Sequence, residues 1–239
     1  MNLNKIDQYL SCLKLDDVEV LVLPEAFLTG FCVDDSSIAV KLNDTAFEHL
    51  CTVSKEKRLA IVGSAIISHE DKIYNRALWI ENGQILYSYD KHHLFSLAKE
   101  NDIISKGLKR LDFSFKSWKV RLAICYDLRF PEWLRNRNIN GFPEYDLLII
   151  HANWPAARAT AWETLLRARA IENQAFVVGV NIIGKDGKGI EYSGKSMIIA
   201  PDGEVLQNAM NEEGIFHSNL DLNFLHAIRN KYPFIIDQD

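Results

Sequence analysis

The sequence predicts an α/β domain in which mixed sheets are covered by helices. Three observations predict it. Short apolar runs of strand length recur along the chain. Helical patterns fall between some of them. Asn82-Gly83, Asp186-Gly187 and Asp202-Gly203 are signals for tight hairpins or turns. No linker, internal repeat or low-complexity tract divides the chain, so a single domain over residues 1–239 is expected.

The segment MNLNKIDQYLSCLKLDD lacks the apolar core of a signal peptide. It reads as a short amphipathic helix with Ile6, Tyr9, Leu10 and Leu13 on one face. Val18–Pro24 is apolar enough to be a strand buried on both faces. Ala46–Lys57 places Phe47, Leu50, Cys51 and Val53 at helical spacing. Leu59–Ser68, Ala77–Glu81 and Ile85–Tyr89 read as strands, the last two joined by Asn82-Gly83. Trp118–Ile124 and Asp146–His151 follow as strands. Ala161–Glu172 is a helix with Trp162, Leu165, Leu166, Ala168 and Ile171 as its apolar set. Phe176–Asn181, Ser196–Ala200 and Gly214–Leu220 are the remaining strands.

Composition narrows the function. Apolar residues make up 48% of the 239, enough for a sizeable core. Net charge is −5 and the basic residues are scattered, which argues against a nucleic-acid partner. No run approaches the ~18 apolar residues of a membrane span. Cys12, Cys32, Cys51 and Cys125 form no CxxC pair. Without a secretory signal they point to a reducing, cytoplasmic setting rather than a disulfide framework.

Three residues carry the chemistry. Glu25, Lys91 and Cys125 each stand where an apolar run gives way to a polar loop, in VEVLVLPE, ILYSYDK and VRLAICYD. Ligands of open α/β folds gather at the carboxyl ends of strands. A carboxylate, an amine and a thiol delivered there suit acyl transfer through a thioester. A lone cysteine after a strand is more often a small buried hydrophobe, and a lone lysine a solvated surface charge. A carboxylate after the buried run Val-Leu-Val-Leu-Pro needs a partner or a function. His92, His93 and His151 raise the rival of a Cys-His hydrolase or a metal site, but no HExxH or zinc spacing accompanies them. No metal and no cofactor is expected.

The flanks reverse the bland readings. LPEAFLTGF, YDKHHLF and CYDLRFPEW resemble the three catalytic blocks of the nitrilase superfamily, the carbon–nitrogen hydrolases. HANWP, ARAIENQAFV and SGKSMIIAPDGEVL extend the resemblance from about Ile6 to Tyr232. It implies a four-layer α-β-β-α sandwich. It makes Cys125 the nucleophile, Glu25 the general base and Lys91 the oxyanion partner, with the backbone N–H of Tyr126 as second donor. It also implies a second glutamate, seven residues before a glycine. Glu100 before Gly107 fits, although LAKEND also reads as an ordinary polar helix end. Arg129 and Glu132 could pair on one helical turn.

The segments YDKHHLF, CYDLRFPEW, ANWPAAR and RARAIENQAFV most resemble the bacterial omega-amidase branch. That implies hydrolysis of the terminal amide of 2-oxoglutaramate or 2-oxosuccinamate to the dicarboxylate and ammonia. Trp154 is then a pocket wall or a plain core tryptophan. Arg158 is a clamp for the remote carboxylate or a surface salt bridge. Alternatives are an amidase or carbamoylase of another small acid, such as deaminated glutathione, or a silent oligomeric homologue. The expected partners are a small-molecule amide and a second copy in a homodimer, with no nucleic acid or membrane. Family members usually begin with a strand upstream of the first helix. Here the given sequence opens at the helix, and a sheet without that strand, through truncation, a late start codon or divergence, is expected to be less stable and to self-associate.

Overall fold

The computed structural model describes residues 3–12, 18–32 and 35–238. The chain divides into two compact units, one of Met1–Lys109 with His151–Asn153, the other of Arg110–Ile150 with Trp154–Asp239.

The first unit opens with α1 (Leu3–Cys12), which buries Ile6 and Leu10 as its apolar face requires. Tyr9 is half-buried, and Leu13 lies outside the described residues. Then come β1 (Val20–Val22), α2 (Thr45–Lys57), β2 (Ala60–His69), β3 (Lys72–Glu81) and β4 (Gln84–Asp90). Among the described residues they form a four-stranded sheet in the order β1-β2-β3-β4. β1 runs parallel to β2, with Val20 opposite Ala60, and the other pairs are antiparallel. Asn82 and Gly83 both take positive φ, 52° and 83°, as a tight β3–β4 hairpin needs.

The strand at Val18–Pro24 differs from expectation. Among the described residues Val20–Val22 is an edge strand, half-buried rather than covered on both faces. Its apolar character reflects packing on one side, where Val18 and Leu21 rest against the main cluster. α2 is capped by the Asp44 carboxylate, which accepts from the Ala46 N–H at 2.9 Å. It drives Phe47, Leu50 and Val53 into a core with Ile61, Leu78 and Ile80.

The second unit contains β5 (Asp112–Phe115), β6 (Trp118–Ile124), α3 (Pro131–Leu134), β7 (Asn138–Ile139), β8 (Phe142–Pro143), β9 (Leu147–Ala152) up to Ile150, α4 (Ala159–Asn173), β10 (Phe176–Asn181), β11 (Ile183–Lys185), β12 (Glu191–Ser193), β13 (Met197–Ile199), β14 (Val205–Asn208) and α5 (Leu222–Lys231). Its main sheet has the order β14-β13-β10-β9-β6-β5. β7–β8 and β11–β12 are small hairpins. α4 packs on β10 and β13 through Trp162, Leu166 and Ala170. A methyl group on Gly179 of β10 would lie 2.6 Å from a Leu166 methyl, so helix and strand pack closely here and a larger residue would make Leu166 shift.

Gly214–Leu220 is not a strand. Its residues are half-buried or exposed, and they pair with none of the described strands. β5 and β14 escape the sequence reading because each is only four residues long, too short a run to stand out from a loop. No described helix is long and apolar enough to cross a membrane.

Gly107 fixes the chain beside the end of β4. Its N–H donates to the Lys91 carbonyl at 2.9 Å, and an added Cβ would stand 2.0 Å from the Asp90 carbonyl oxygen. A backbone contact of that kind cannot be relieved by a rotamer change. Gly107→Ala is therefore predicted to cost about 3 kcal/mol or more, lowering Tm by roughly 6–12 °C. Thermal unfolding checks this; a shift under ~2 °C would contradict it.

Candidate active site

Glu25 follows β1 in a segment tied to β2. The Leu23 N–H donates to the Val62 carbonyl at 2.7 Å, the Ala26 N–H to Ser64 Oγ at 3.0 Å, and the Phe27 N–H to the Ser64 carbonyl at 2.9 Å. Ala26 takes φ 46°, so the chain turns sharply just after the glutamate. Lys91 follows β4, its N–H donating to the Asn75 carbonyl at 2.9 Å. Glu100 sits in a short 3-10 turn entered through Lys99 at φ 56°.

These three side chains meet, each at most 1% exposed. Lys91 Nζ donates to Glu25 Oε1 at 2.8 Å and lies 3.0 Å from each Glu100 oxygen. Glu25 Oε2 accepts from the Asn153 N–H at 2.8 Å, and Glu100 Oε2 from the Phe95 N–H at 2.6 Å. The ammonium also lies 5.2 Å from the centre of the Phe31 ring. Two carboxylates thus share one ammonium in a dry interior. Burial raises the Glu100 pKa; Lys91 opposes the shift, and the Glu25 charge adds to it.

Asn75 completes the group; it stands two residues before the strand read from the sequence at Ala77–Glu81, and only the longer β3 of the structure makes it a mid-strand residue. Its Nδ2 donates to Glu25 Oε1 at 2.8 Å and stands 3.4 Å from Glu100 Oε1. The Asn153 N–H is a main-chain donor that no residue type announces. His151 is fully buried, with Nδ1 2.7 Å from the Leu23 carbonyl, so Nδ1 carries the proton. Burial lowers its pKa to about 4, against the pull of that carbonyl and of Glu25. It is neutral near pH 7. His92 spends Nδ1 on the Gly107 carbonyl at 2.7 Å, with His93 edge-on at 4.6 Å. No group of three described His, Cys, Asp or Glu side chains stands where it could hold a metal ion.

The second unit holds the remaining candidates. Cys125 is the first residue after β6, half-buried, with φ 44°. Left-handed backbone is uncommon for a residue with a Cβ and carries strain. The buried Asp127 carboxylate fixes the turn by accepting from the Ile124 N–H at 3.0 Å. Tyr126 is half-buried, edge-on to Phe130 at 5.1 Å. Trp154 is 3% exposed, packed against Trp162 at 5.6 Å, and its indole N–H donates to the Arg158 carbonyl at 2.8 Å. Asn181 clasps the Trp154 backbone, accepting from its N–H at 2.7 Å and donating to its carbonyl at 3.0 Å.

Arg158 is half-buried just before α4. Arg129 does not pair with Glu132. Its guanidinium lies over the Trp154 ring at 4.8 Å. Phe130 is extended (φ −112°, ψ 91°), so residues 129 and 132 do not share a helical turn.

Comparison with known proteins decides the family. The model for the carbon-nitrogen hydrolase family matches residues 1–230. The chain belongs to this family. It is an amide-hydrolysing enzyme, and relatives agree. The omega-amidase YafV of Escherichia coli is 37% identical over 222 residues, covering 92% of this chain and 84% of that protein. The 2-oxoglutaramate amidase of Bacillus subtilis is 37% identical over 223 residues, with the same coverage of 92% and 84%. The crystal structure of a CN-hydrolase superfamily protein from Xanthomonas campestris, with an arsenic adduct in its active site, matches 100% of this chain and 91% of its own at 34% identity and TM-score 0.94. The nitrilase-type α/β fold expected from the sequence is therefore the fold of this carbon–nitrogen hydrolase.

His151 yields a pH test. Its folded pKa, about 4, lies below its unfolded value near 6.5. The unfolded chain binds the proton first, so stability falls as pH drops through 6.5 and stops falling near 4. The loss from this group should be about 3 kcal/mol. His151→Asn keeps a donor for the Leu23 carbonyl and removes the titration. Urea unfolding at pH 7 and pH 4 should show a smaller loss in the variant; equal losses would contradict the assignment.

Proposed function

We propose that this enzyme is an omega-amidase, which converts 2-oxoglutaramate or 2-oxosuccinamate and water to the dicarboxylate and ammonia. The observation that carries the mechanism is the buried Glu25–Lys91–Glu100 group, in which Lys91 lies 2.8–3.0 Å from both carboxylates. The names of the two amidase relatives support the substrate class. The arsenic adduct in the Xanthomonas campestris active site supports a thiol nucleophile, since arsenic favours sulfur ligands.

In this reading Glu25 takes the proton of the Cys125 thiol, and the sulfur forms a bond to the amide carbon. The carbonyl oxygen becomes an oxyanion, stabilised by Lys91 Nζ and the Tyr126 N–H. One such donor is typically worth roughly a hundred- to a thousand-fold in rate. The oxyanion collapses, the C–N bond breaks, and Glu25 returns its proton to the departing ammonia. A thioester remains. Glu25 then removes a proton from water, whose oxygen attacks the thioester carbon. Collapse releases the carboxylic acid and the sulfur, which regains the proton. Glu100 orients Lys91. Arg158 receives the carboxylate remote from the scissile bond.

The experiment is ammonia release from 2-oxoglutaramate combined with mass spectrometry of protein quenched during turnover. The enzyme should carry an adduct of substrate minus ammonia on Cys125, and Cys125→Ala should lose turnover while staying folded. Residual turnover above a few per cent would sink the nucleophile assignment. Glu25→Gln added to Cys125→Ala should be no worse than Cys125→Ala alone, because residues sharing a step are non-additive. Additive losses would separate them. Arg158→Gln should raise KM for 2-oxoglutaramate roughly tenfold or more, the loss of a charge-assisted hydrogen bond of about 1.5–3 kcal/mol. An equal effect on a short neutral amide would remove Arg158 from the specificity site.

A further inference from the structure

Asn75 lies in β3 with its side chain fully buried, in a strand otherwise built of apolar residues from Ala77 to Ile80. Asparagine is disfavoured in strand interiors, and a buried amide needs partners. Its partners here are two carboxylates. Nδ2 is 2.8 Å from Glu25 Oε1 and 3.4 Å from Glu100 Oε1. Lys91 Nζ contacts the same two oxygens, at 2.8 and 3.0 Å. Two acceptors therefore alternate with two donors, one cationic and one neutral. The Asn75 carbonyl also accepts from the Lys91 N–H, so one strand position sets both the amide donor and the lysine backbone. Asn75 Oδ1 is buried, with no hydrogen-bond partner among the described residues. The side chain gives up its acceptor to keep both N–H groups on the carboxylates.

We propose that Asn75 is a positioning residue for the reaction, a neutral double donor that holds the Glu25 carboxylate aligned without cancelling its charge. This deepens the reading in which Glu25 is the base, and rests on it. The charge balance explains why the donor must be neutral. Glu25, Glu100 and Lys91, all ionised, sum to −1. A second cation at position 75 would bring the group to zero and weaken the base. A third carboxylate would bring it to −2 and keep one carboxyl protonated near neutral pH. An apolar residue would leave two buried acceptors sharing Lys91 alone, also favouring a protonated carboxyl.

The test compares Asn75→Asp and Asn75→Leu, both near the size of asparagine, with Glu25→Gln alongside, all in the full chain. If donation is the role, Asn75→Asp should lower kcat at pH 7 by roughly a hundredfold or more, as for loss of an electrostatic donor, and recover partly at higher pH. Asn75→Leu should be the milder variant. In both, the acidic limb of kcat/KM should move up by about one pH unit, since the protonated carboxyl is favoured. KM should change less than kcat. A packing role predicts unchanged limbs in both variants, and that result overturns the proposal. If Asn75→Asp does not fold, the Asn75→Leu profile decides: a limb moved upward supports the proposal, and an unmoved limb overturns it. If Glu25→Gln retains full activity, the base assignment falls and this inference with it. If Glu25→Gln is inactive while both Asn75 variants keep the wild-type profile, this inference alone falls.

Discussion

The first unit is organised around an ammonium held between two carboxylates out of reach of water. Removing ions from water costs several kcal/mol each, and their attraction offsets this only when every donor and acceptor is placed well. Here the placement is nearly complete. Glu25 receives Lys91, Asn75 and the Asn153 N–H, and Glu100 receives Lys91 and the Phe95 N–H. The donors come from three stretches of chain: Asn75 in β3, Lys91 and Phe95 in the segment after β4, and Asn153. The site therefore depends on the register of β3 against β4, the bonds that lock residues 23–27 to β2, and the 3-10 turn at Glu100. A buried group with an uneven charge count is poorly suited to stabilising a fold, since apolar residues would serve that end as well or better. It is well suited to exchanging a proton, which is the work the proposed mechanism gives it.

The second unit meets its own constraint at the turn after β6. Cys125 takes a left-handed backbone that glycine would adopt without strain, and the buried Asp127 holds the turn closed through Ile124. A glycine there would relieve the backbone and remove the thiol. Retaining strain at the one cysteine that ends a strand fits a nucleophile better than a filler of the core.

The strand ends that carry Glu25, Lys91 and Cys125 were legible in the sequence, because each follows an apolar run; their candidate roles came from flanks that resemble the catalytic blocks of the family. Glu100 came only from the resemblance, which implies a second glutamate seven residues before a glycine; that glycine, Gly107, proves necessary because the Asp90 carbonyl leaves no room for a Cβ. What could not be read depends on pairing between distant segments. Asn75 reaches the carboxylates through the β3–β4 register, the Asn153 contribution is a main-chain N–H, and Asn181 braces Trp154 across 27 positions. The same limit explains the misread elements. Gly214–Leu220 has strand-like composition but pairs with none of the described strands, and Val18–Pro24 is apolar yet lies at a sheet edge among the described residues. Arg129 sits three residues from Glu132, but an extended Phe130 breaks the spacing and the guanidinium stacks on Trp154 instead.

The central claim is that the buried carboxylate group takes the Cys125 proton. The most direct measurement is the rate of Cys125 alkylation by iodoacetamide as a function of pH, in wild type and in Glu25→Gln, with the modified residue identified by peptide mass. The account predicts fast alkylation of the wild type at neutral pH. In the variant alkylation should be slow at neutral pH and recover only as pH rises toward the ordinary thiol range, near 8.5. Superimposable profiles for the two proteins would contradict it.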